Sequence, residues 1–453
     1  MNLLFVLPEF YPATSGGICT YYRELFKENQ ANGKWNITVI QGSAVETRGG
    51  ETCWEGIKIH YLTLELLNKY KNFFKDLGLM PELQNHVASA WAIYELAHQL
   101  NQDFDAVITT DWGFGFVPWI IKNEKPVIVH LHGSAGQIDH YEPRPGWKLW
   151  SDLYLQIEST LFSYADALVT HSRQNINFWD QRLFKKKNIA LIPPAIAKTN
   201  GIVVGEGKGI NGKSVGLVVG RIQYWKGAIQ LCEAVNLLSE EKKNKLKIYW
   251  VGRDTYYAAA NTSMDEFLHK NYRGIWGNII QPLGEKRQEE IRRLYALSDW
   301  TVVPSTWDMF NLAAVEHLMN KKPLICSTGA GASDFLNSDD IILFNNTPED
   351  LAASIERILG LSEDELKKMG EKGYSFASGK FNPCSVHMQH SVVVETAIGN
   401  FTRKNNLEDR FSWLLPNQNV NDLQNAKQVL LENWTLKEVT ALFIKRVRAK
   451  VKI

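Results

Sequence analysis

The chain has 453 residues, of which 45% are hydrophobic and 22% charged, and its formal net charge is +1. This length exceeds what one hydrophobic core usually supports, so we expect a globular protein of two domains. The near-neutral charge provides no general attraction to nucleic acid, and no apolar run approaches the length that spans a bilayer.

Five cysteines are scattered along the chain, an odd number without metal-ligand spacing. Such cysteines are typical of reduced thiols in a cytoplasmic protein, and no metal site is predicted. The N-terminus has no basic segment, and its apolar run is too short for a signal peptide. Residues 3–7 are therefore predicted to be the first buried strand.

A pair of glycines, Gly16 and Gly17, follows this first strand and precedes a predicted helix over residues 18–28. A strand, a glycine turn and a helix place free backbone amides at a helix N-terminus, where an anion is stabilised. A glycine pair alone is more often a tight turn. Both interpretations stand at this point.

The next predicted strands are residues 36–40 and 57–62, and residues 64–102 are predicted to be helical, with aromatic and lysine side chains interleaved. A basic, aromatic helix can lie on a membrane surface or hold a lipid-linked acceptor, which would make the protein membrane-peripheral. A domain helix with a solvated basic side is an equally good interpretation.

Two further buried strands, residues 105–110 and 126–131, end in polar residues. The first leads to Asp111 and Trp112, and the second leads to His132 and a long polar, aromatic loop that includes Tyr141. Carboxyl ends of parallel strands meet at one edge, so this loop is a candidate for binding an acceptor. A lone histidine after a strand is usually structural, and most tryptophans belong to a core.

Residues 198–213 are rich in glycine and lysine and are predicted to link two domains, residues 1–197 and residues 214–395. Beyond residue 395 we predict a helical extension to residue 453, ending in a basic helix. This tail has three open interpretations: it packs on the first domain, contacts an anionic membrane, or frays.

The second domain opens with a strand that ends at Gly220 and Arg221, followed by Lys226 and a helix over residues 228–238. A departing diphosphate needs fixed positive charge where its negative charge grows, and this turn supplies two cations before a helix N-terminus. A solvated pair of surface cations is the alternative.

Residues 300–331 predict a strand, a helix that begins after Asn311, and a second strand, which together imply a parallel sheet with a right-handed crossover. Asp308 lies in the loop and Glu316 in the helix, with seven residues between them. Glu316 stands among apolar residues, which is a poor setting for a carboxylate with nothing to bind.

These ordered motifs resemble those of the retaining nucleotide-sugar glycosyltransferases of family 4, in which two Rossmann-like domains form the GT-B fold. The family has two glutamates separated by seven residues, with Phe-Gly-Leu between them. Here Asp308 stands for the first glutamate, Asn311 for the glycine, and Glu316 for the second glutamate. The family's Gly-Arg and Lys-Gly pairs are matched in full by Gly220-Arg221 and Lys226-Gly227.

The resemblance implies an α/β protein with two doubly wound Rossmann-like domains facing a central cleft, and a helical C-terminal extension. It implies that Arg221 and Lys226 hold the donor diphosphate and that Glu316 holds the ribose. Asp308 and the backbone that follows would position the donor sugar, and His132 would face the reaction centre. The implied donor-side residues are Gly16, Gly17, Gly220, Met309, Phe310, Asn311, Leu312 and Glu316, and Asp111, Trp112 and Tyr141 are placed on the acceptor side.

A UDP-, GDP- or ADP-sugar is thus the expected donor, without a cofactor or metal, and the acceptor is a sugar, a lipid-linked molecule, a protein or a small molecule. Two other hypotheses stay open. A non-catalytic sugar-nucleotide sensor or scaffold is suggested by the departures from the family pattern at Asp308, Asn311 and Pro193-Pro194. A nicotinamide-dependent oxidoreductase is disfavoured because the segment from Gly329 to Asp334 lacks the final glycine of the dinucleotide-binding pattern.

Overall fold

The structure is a computed structural model, and it describes residues 1–13, 16–43, 47–142, 148–196, 212–336, 339–404 and 407–416, together with residue 440. The described chain forms two α/β domains, each built on a mostly parallel sheet with helices on both faces. This confirms the predicted fold class.

Eight strands form the sheet of the first domain: β1 (Asn2–Leu7), β2 (Asn36–Gln41), β3 (Glu51–Trp54), β4 (Ile57–Tyr61), β5 (Ala106–Thr110), β6 (Val127–Leu131), β7 (Ala167–Thr170) and β8 (Ile189–Leu191). Their order is β3-β4-β2-β1-β5-β6-β7-β8, and all neighbours are parallel except β3 and β4. Strand β1 is a continuous apolar run because helices cover both faces of the sheet.

The helices of the first domain are α1 (Gly17–Asn32), α2 (Leu64–Phe73), α3 (Pro81–Gln99), α4 (Val117–Lys122), α5 (Ala135–Tyr141), α6 (Lys148–Phe162) and α7 (Arg173–Asp180). Short 3-10 turns span Lys75–Leu79 and Trp112–Phe114. Two apolar clusters, one on each face of the sheet, form the core of this domain.

The single helical segment predicted over residues 64–102 is in fact two helices, α2 and α3, separated by a 3-10 turn. Pro81 begins α3, because proline lacks an amide donor and is tolerated only at the start of a helix. Most of the aromatic face that suggested membrane contact packs inside the domain, including Tyr70 and Phe74, while Leu64 and Phe73 stay exposed. No helix among the described residues is long and apolar enough to cross a membrane.

The second domain contains eight strands: β9 (Ser214–Val219), β10 (Leu246–Val251), β11 (Tyr256–Tyr257), β12 (Thr262–Ser263), β13 (Ile280–Pro282), β14 (Trp300–Val303), β15 (Leu324–Ser327) and β16 (Ile342–Phe344). Six of them form a parallel sheet in the order β13-β10-β9-β14-β15-β16, and β11 pairs with β12 as a small antiparallel ribbon. The β-α-β unit predicted over residues 300–331 is present and consists of β14, the helix that follows it and β15.

The helices from this point onward are α8 (Ala228–Leu237), α9 (Glu240–Asn244), α10 (Met264–Asn271), α11 (Gln288–Leu297), α12 (Leu312–Met319), α13 (Pro348–Leu359), α14 (Glu363–Lys380), α15 (Pro383–Gly399) and α16 (Leu407–Arg410). Short 3-10 turns span Tyr224–Lys226, Gly331–Phe335 and Ser412–Leu414.

Helix α15 returns the chain to the first domain. Its buried residues Val386 and Val394 belong to the same apolar cluster as β1, and the ring of His387 lies 3.2 Å from the Asn29 amide oxygen of α1. Further along, the Trp91 indole donates to the Leu414 carbonyl at 2.7 Å. The predicted end of the second domain at residue 395 falls inside α15, so this packing favours a boundary before Pro383.

Several predicted segments lie outside the described residues. The linker predicted at residues 198–213 is described only from residue 212, and of the C-terminal extension only residues 396–404, 407–416 and 440 are described. The basic helix predicted at the C-terminus therefore stays a prediction.

Candidate active site

The two domains meet through the loops at the carboxyl ends of their strands. The backbone amide of Arg173, just after β7, donates to the Asp334 carboxylate at 2.6 Å. The Gln174 side chain donates to the Thr328 carbonyl at 2.9 Å, and Tyr141 stacks on Trp307 with ring centroids 4.4 Å apart. The strand ends of both sheets thus face one cleft, as is usual for ligand sites of open α/β sheets.

A cationic turn lies at the carboxyl end of β9. The Lys226 ammonium forms an ion pair with the Asp308 carboxylate, and these side chains are only 19% and 14% exposed. The Arg221 side chain is exposed at the cleft. Partial desolvation by the surrounding protein lowers the pKa of its guanidinium, and the positive charge of Arg253 lowers it further. Asp308 and Glu9 act in the opposite direction. Arg221, Lys226 and Asp308 are therefore brought together as the sequence predicts.

Gly227 brings this turn against the loop after β14. Its φ is +81°, and a Cβ at this position would lie 1.7 Å from the Pro304 carbonyl oxygen. Only glycine allows so close an approach in a left-handed conformation. This contact places Lys226 beside the loop that carries Asp308.

The Gly-Ala-Gly turn after β15 supports the Asp308 loop from the other side. The Asp308 amide donates to the Gly329 carbonyl at 3.0 Å, and the Gly331 amide donates to the Asp308 carbonyl at 3.0 Å. A Cβ at Gly331 would lie 2.1 Å from the Met309 carbonyl oxygen, and one at Gly329 would lie 2.5 Å from the Ser305 carbonyl oxygen. Both glycines of this variant motif are thus required by close backbone contact.

The backbone conformation of Asn311 explains why asparagine can replace the family's glycine at this position. Asn311 occupies the N-cap position of α12 with φ of 74°, a left-handed conformation that glycine adopts freely and asparagine tolerates. The N-cap prediction is right in position but not in mechanism, because the side chain makes no capping bond and instead donates to the Ser305 hydroxyl at 3.1 Å. The Asn311 side chain therefore does not satisfy the first amides of α12.

The neighbouring side chains of this segment point into the protein. Phe310 is 4% exposed and packs against Phe335, and the Thr170 hydroxyl of the first domain lies 3.8 Å from the Met309 sulfur. Leu312 is partly buried against the same cluster as Phe310. What this segment offers to a ligand is consequently its backbone.

Glu316 lies on α12 and faces the first domain. It is half-buried, and burial raises the pKa of its carboxyl group, while the positive charge of Arg23 on α1 lowers it. The next residue, His317, is fully buried and bonded to the Tyr295 hydroxyl at 2.8 Å. The influence of Arg23 on Glu316 places this carboxylate within electrostatic range of α1 of the first domain.

In the first domain, the turn that carries His132 is held by a buried acid. The Asp111 carboxylate accepts the amides of His132 and Gly133 at 2.9 and 3.0 Å. Burial raises the pKa of Asp111 to about 7, and these hydrogen bonds act in the opposite direction. Asp111 is 0% exposed, so its contacts here are with the turn, and its predicted place on the acceptor side stays a prediction.

His132, which is itself partly exposed, belongs to a cluster of otherwise buried rings that the sequence did not reveal. Its ring centroid lies 4.8 Å from that of Tyr21 and 4.8 Å from that of His171. His390 of α15 completes the cluster, since its Nε2 lies 2.7 Å from the Tyr21 hydroxyl, and Tyr22 reaches His130 at 2.9 Å. His171 directly follows β7, but nothing in the sequence connects residue 390 with residue 21.

Burial keeps these imidazoles neutral. It lowers the pKa of His132 well below its ordinary value, that of His171 to about 4 and that of His390 to about 3. The Nε2 atoms of His132 and His171 are buried and have no hydrogen-bond partner among the described residues. A neutral ring with a free nitrogen is able to exchange a hydrogen bond with a bound hydroxyl group.

The remaining predicted residues of the first domain are Gly16, Gly17, Trp112 and Tyr141. Gly16 lies against the Glu9 carboxylate, 2.4 Å from where its Cβ would be, and a Cβ at Gly17 would meet nothing within 4 Å. Trp112 is partly buried beside His86, and Tyr141 is covered by Trp307. Within the described ranges, no group of three or more His, Cys, Asp or Glu residues is arranged to hold a metal ion.

Two Rossmann-like domains, with cations and acids on one side of their cleft and a histidine turn on the other, define the GT-B class of fold. The Glycosyltransferase Family 4 model matches residues 16–199, and the Glycosyl transferases group 1 model matches residues 206–376. The chain belongs to the group 1 glycosyltransferases of the family 4 type, which confirms the resemblance, and it is an enzyme of the glycosyltransferase class.

The proteins similar to this chain align with it over most of its length and over nearly all of their own. An uncharacterized glycosyltransferase of Methanocaldococcus jannaschii is 22% identical over 395 residues, which is 84% of this chain and 94% of that protein. The structure of sucrose-phosphate synthase from Thermosynechococcus elongatus has a TM-score of 0.66 at 18% identity, covering 88% of this chain and 100% of that one. Anabaena HepE in complex with UDP-glucose has a TM-score of 0.60 at 15% identity, covering 87% and 100%.

Proposed function

We propose that the protein is a retaining glycosyltransferase, which moves a sugar from a nucleoside diphosphate donor to an acceptor hydroxyl group in the synthesis of a glycan, glycolipid or other glycoconjugate. The observation that carries this proposal is the arrangement of Arg221 beside the Lys226–Asp308 ion pair at the cleft. Fixed cations at this edge suit a diphosphate that gains negative charge as it leaves.

The ion pair gives Asp308 and Lys226 complementary tasks. In this proposal a donor phosphate replaces Asp308 as the partner of Lys226, and the released carboxylate accepts hydroxyl groups of the donor sugar. Each charge-assisted hydrogen bond contributes about 1.5–3 kcal/mol. Arg221 and Lys226 together would then supply about 3–6 kcal/mol of transition-state stabilisation, or roughly a hundredfold to ten-thousandfold in rate.

The ribose and the reacting carbon are assigned to the other two elements of the cleft. Glu316 is half-buried on the cleft side of α12, where it would bind the ribose hydroxyl groups. The neutral His132 ring on the opposite domain would contact the donor sugar near the reacting carbon.

Retention of configuration follows from attack on the same face that the diphosphate leaves. In such a mechanism the departing phosphate takes the acceptor proton, so no pair of carboxylates at a glycosidase separation is needed. Closure of the two domains over the donor would exclude water and limit its hydrolysis.

A thermal-shift screen against UDP-, GDP- and ADP-sugars tests the donor assignment. A ligand at a hundred times its dissociation constant adds about 2.7 kcal/mol of apparent stability. HepE, which was solved with UDP-glucose, makes UDP-glucose the first compound to test. If none of the nucleotide sugars raises the melting temperature, the donor assignment is wrong.

The second part of the experiment is turnover. The purified protein should hydrolyse or transfer the selected donor, Lys226→Ala should abolish most of this activity, and NMR of the product should show retained anomeric configuration. Lys245→Ala, on the exposed helix end beside Glu241, is the matched control. Binding without turnover in the presence of acceptors would favour a non-catalytic sensor, and equal activity of Lys226→Ala and the wild type would contradict the site.

A further inference from the structure

An aromatic contact joins the two domains beside the reaction site. Trp307 of the second domain stacks on Tyr141 of the first, with ring centroids 4.4 Å apart and an interplanar angle of 13°. Trp307 is only 7% exposed, although it stands in a loop at the edge of the cleft. Its indole is therefore buried by residues of both domains.

The indole of Trp307 lies in a socket of the first domain formed by Gly133, Ile138 and Tyr141. A Cβ at Gly133 would lie 3.8 Å from the indole Cη2 atom and 3.9 Å from the Ile138 side chain. Ile138 and Tyr141 pack against the same apolar cluster as Trp307. Since Gly133 directly follows His132, the far edge of the indole lies against the turn that carries His132.

The first domain holds its side of this socket in place through helix α5. Phe178 of α7 packs behind Tyr141, with ring centroids 5.9 Å apart. The Ser134 hydroxyl caps α5 by accepting the Gln137 amide at 3.1 Å, and it donates to the buried Glu158 carboxylate at 2.7 Å. Tyr141 is thus presented by a capped and anchored helix.

On the other side of the contact, Trp307 is tied to the turn that carries Lys226. Trp225 directly precedes Lys226, and its indole packs edge to face on Trp307 with centroids 6.0 Å apart. The amides of Thr306 and Trp307 donate to the Trp225 carbonyl at 2.9 and 3.3 Å. Because Asp308 directly follows Trp307, a tryptophan pair carries the Lys226–Asp308 ion pair, and one member of that pair rests on the first domain.

This contact sets the separation between the two sides of the reaction site. His132 and Asp308 are each one residue away from the surfaces that touch, which are Gly133 and the Trp307 indole. A misplacement of about 1 Å can cost a hundredfold in rate, because the reacting groups lose their alignment. Packed rings at this edge also exclude water, which would otherwise compete for the donor sugar.

We propose that Tyr141 is a positioning residue that acts through Trp307: the stack holds the Asp308 loop against the His132 turn and keeps water from the reacting carbon of the donor. The inference rests on the proposed glycosyl transfer, because it names what controls the choice between acceptor and water in that reaction. Tyr141 has this role in place of the acceptor contact predicted from the sequence.

The competing reaction is hydrolysis of the donor. A water oxygen bonds to the anomeric carbon as the bond from that carbon to the diphosphate breaks. The leaving phosphate takes the water proton, and the products are the free sugar and the nucleoside diphosphate. The share of donor that is hydrolysed is therefore the total nucleoside diphosphate released minus the sugar transferred.

The first experiment measures transfer and hydrolysis by Tyr141→Ala and Tyr141→Phe. Because an aromatic pair contributes about threefold to tenfold to an equilibrium, we expect Tyr141→Ala to lower kcat for transfer by about that factor and to raise the hydrolysed share severalfold. The donor KM should stay within about twofold, because Tyr141 does not touch the donor. Tyr141→Phe keeps the stacking ring and should behave as the wild type does.

The matched control is an equally close tyrosine–tryptophan contact inside the first domain. Tyr94 of α3 packs on Trp119 of α4 with ring centroids 4.7 Å apart. Tyr94→Ala should lower the melting temperature but leave kcat and the hydrolysed share as in the wild type. This control separates positioning from a general loss of stability.

The second experiment asks whether Tyr141 acts through Trp307. If it does, adding Tyr141→Ala to Trp307→Ala should lower kcat by less than about twofold further, because the partner ring is already gone. Losses that multiply would show that the two residues act independently and would overturn the proposal. So would a hydrolysed share in Tyr141→Ala equal to that of the wild type, or a raised acceptor KM with unchanged kcat, which would return Tyr141 to acceptor binding.

The stack is also tested without turnover, by the melting temperatures of the two single variants and the double variant. Residues in contact are not additive, so the double variant should melt about 1–3 °C above the value expected from adding the two single shifts. Additive shifts would show that the rings are not stacked in solution and would overturn the proposal.

The two proposals fail in distinguishable ways. If the wild type neither binds nor turns over any nucleotide sugar, the proposed function is wrong, whatever the melting temperatures show. If the wild type transfers sugar and Tyr141→Ala divides the donor between acceptor and water as the wild type does, only the positioning role is wrong.

Discussion

The two domains line their common cleft with different chemistry. The second domain presents formal charges, including the Lys226–Asp308 ion pair, Arg221 and Glu316. The first domain presents neutral rings around His132, whose pKa burial lowers well below its ordinary value. One side is thus suited to an anion, and the other is suited to hydroxyl groups and a sugar ring.

The two sides are also built differently. Gly227 and Gly331 bring the turns and loops of the second domain into backbone contact, so its charges reach a partly hydrated edge. In the first domain, a carboxylate, Asp111, is fully buried and used to hold the histidine turn. Charged side chains therefore reach the cleft in the second domain, where a phosphate would leave. In the first domain, where the sugar would react, the carboxylate of Asp111 is buried behind the histidine turn.

The largest effect is expected from removing the positive charge of the second domain. Arg221→Gln with Lys226→Ala should lower kcat/KM by about a hundredfold to ten-thousandfold, because two charge-assisted bonds to the leaving diphosphate are lost. Steady-state kinetics with the selected nucleotide sugar measure this loss. The double variant Lys242→Ala, Lys245→Ala, in and just after the surface helix α9, controls for general charge effects, since these side chains are 39% and 65% exposed. A loss below tenfold would show that the charged side is not the catalytic one.

The next largest effect, on the free energy of unfolding, is expected from replacing Gly227, the glycine that positions those charges. Gly227→Ala should destabilise the protein by about 2–4 kcal/mol, because the new Cβ collides with the Pro304 carbonyl in a left-handed conformation. Urea unfolding measures the change. Gly379→Ala, in helix α14 with nothing near the new Cβ, should instead be neutral or stabilising by about 0.5–1 kcal/mol. Equal stability of Gly227→Ala and the wild type would mean that the turn is not held as described.

The charged side of the cleft was largely predictable from sequence. Its residues follow β9 and β14 within a few positions, so Arg221, Lys226 and Asp308 stand in a short, ordered pattern. The departure at Asn311 and the spacing of Gly329 and Gly331 have physical reasons that only the structure reveals. Asn311 adopts a left-handed φ in place of glycine, and Gly329 and Gly331 both approach carbonyl groups too closely for any Cβ.

The neutral side was predictable only in part. His132 was predicted from the family resemblance and its place after a strand, but its neighbours come from α1, from the end of β7 and from α15. The contact between Tyr21 and His390 joins residues 369 positions apart, and local patterns carry no information about it. The return of α15 to the first domain is likewise a property of tertiary packing, since its sequence is compatible with either domain.

A smaller effect, on turnover, should come from the buried acid of the neutral side. Asp111→Asn replaces a two-oxygen acceptor by one oxygen and an amide donor, so one of the amides of His132 and Gly133 loses its partner. An unsatisfied buried amide costs about 1–3 kcal/mol. We expect kcat to fall about tenfold to a hundredfold, while the donor KM stays within about twofold.

The kcat and KM values of Asp111→Asn are compared with those of Asp105→Asn. Asp105 accepts the Asn2 amide at 2.8 Å beside the amino end of the same strand, away from the cleft. A raised donor KM with unchanged kcat would move Asp111 to donor binding and weaken the contrast between the two sides.

The smallest expected effect is a pH dependence of stability that arises from the ring cluster. Burial lowers the pKa of His390 to about 3, below its ordinary value of 6.5. The unfolded chain therefore takes up a proton between these values that the folded chain does not, so stability is fully present above pH 6.5 and is lost as the pH falls toward 3. The loss from one such histidine is about 2 kcal/mol at pH 5.

Replacing His390 with glutamine removes this contribution and should leave the variant less sensitive to acid than the wild type. The difference in unfolding free energy between them should shrink by about 1–2 kcal/mol when urea titrations at pH 7.5 are repeated at pH 5. His98→Gln, on the exposed side of α3, is the control. Burial raises the pKa of Asp111, so this residue makes the folded state more stable as the pH falls. Because Asp111 is present in both the wild type and His390→Gln, its contribution cancels in the difference between their unfolding free energies. A difference that is constant with pH would show that folded His390 takes up a proton in this range as the unfolded chain does, so the ring cluster would carry a charge at pH 5.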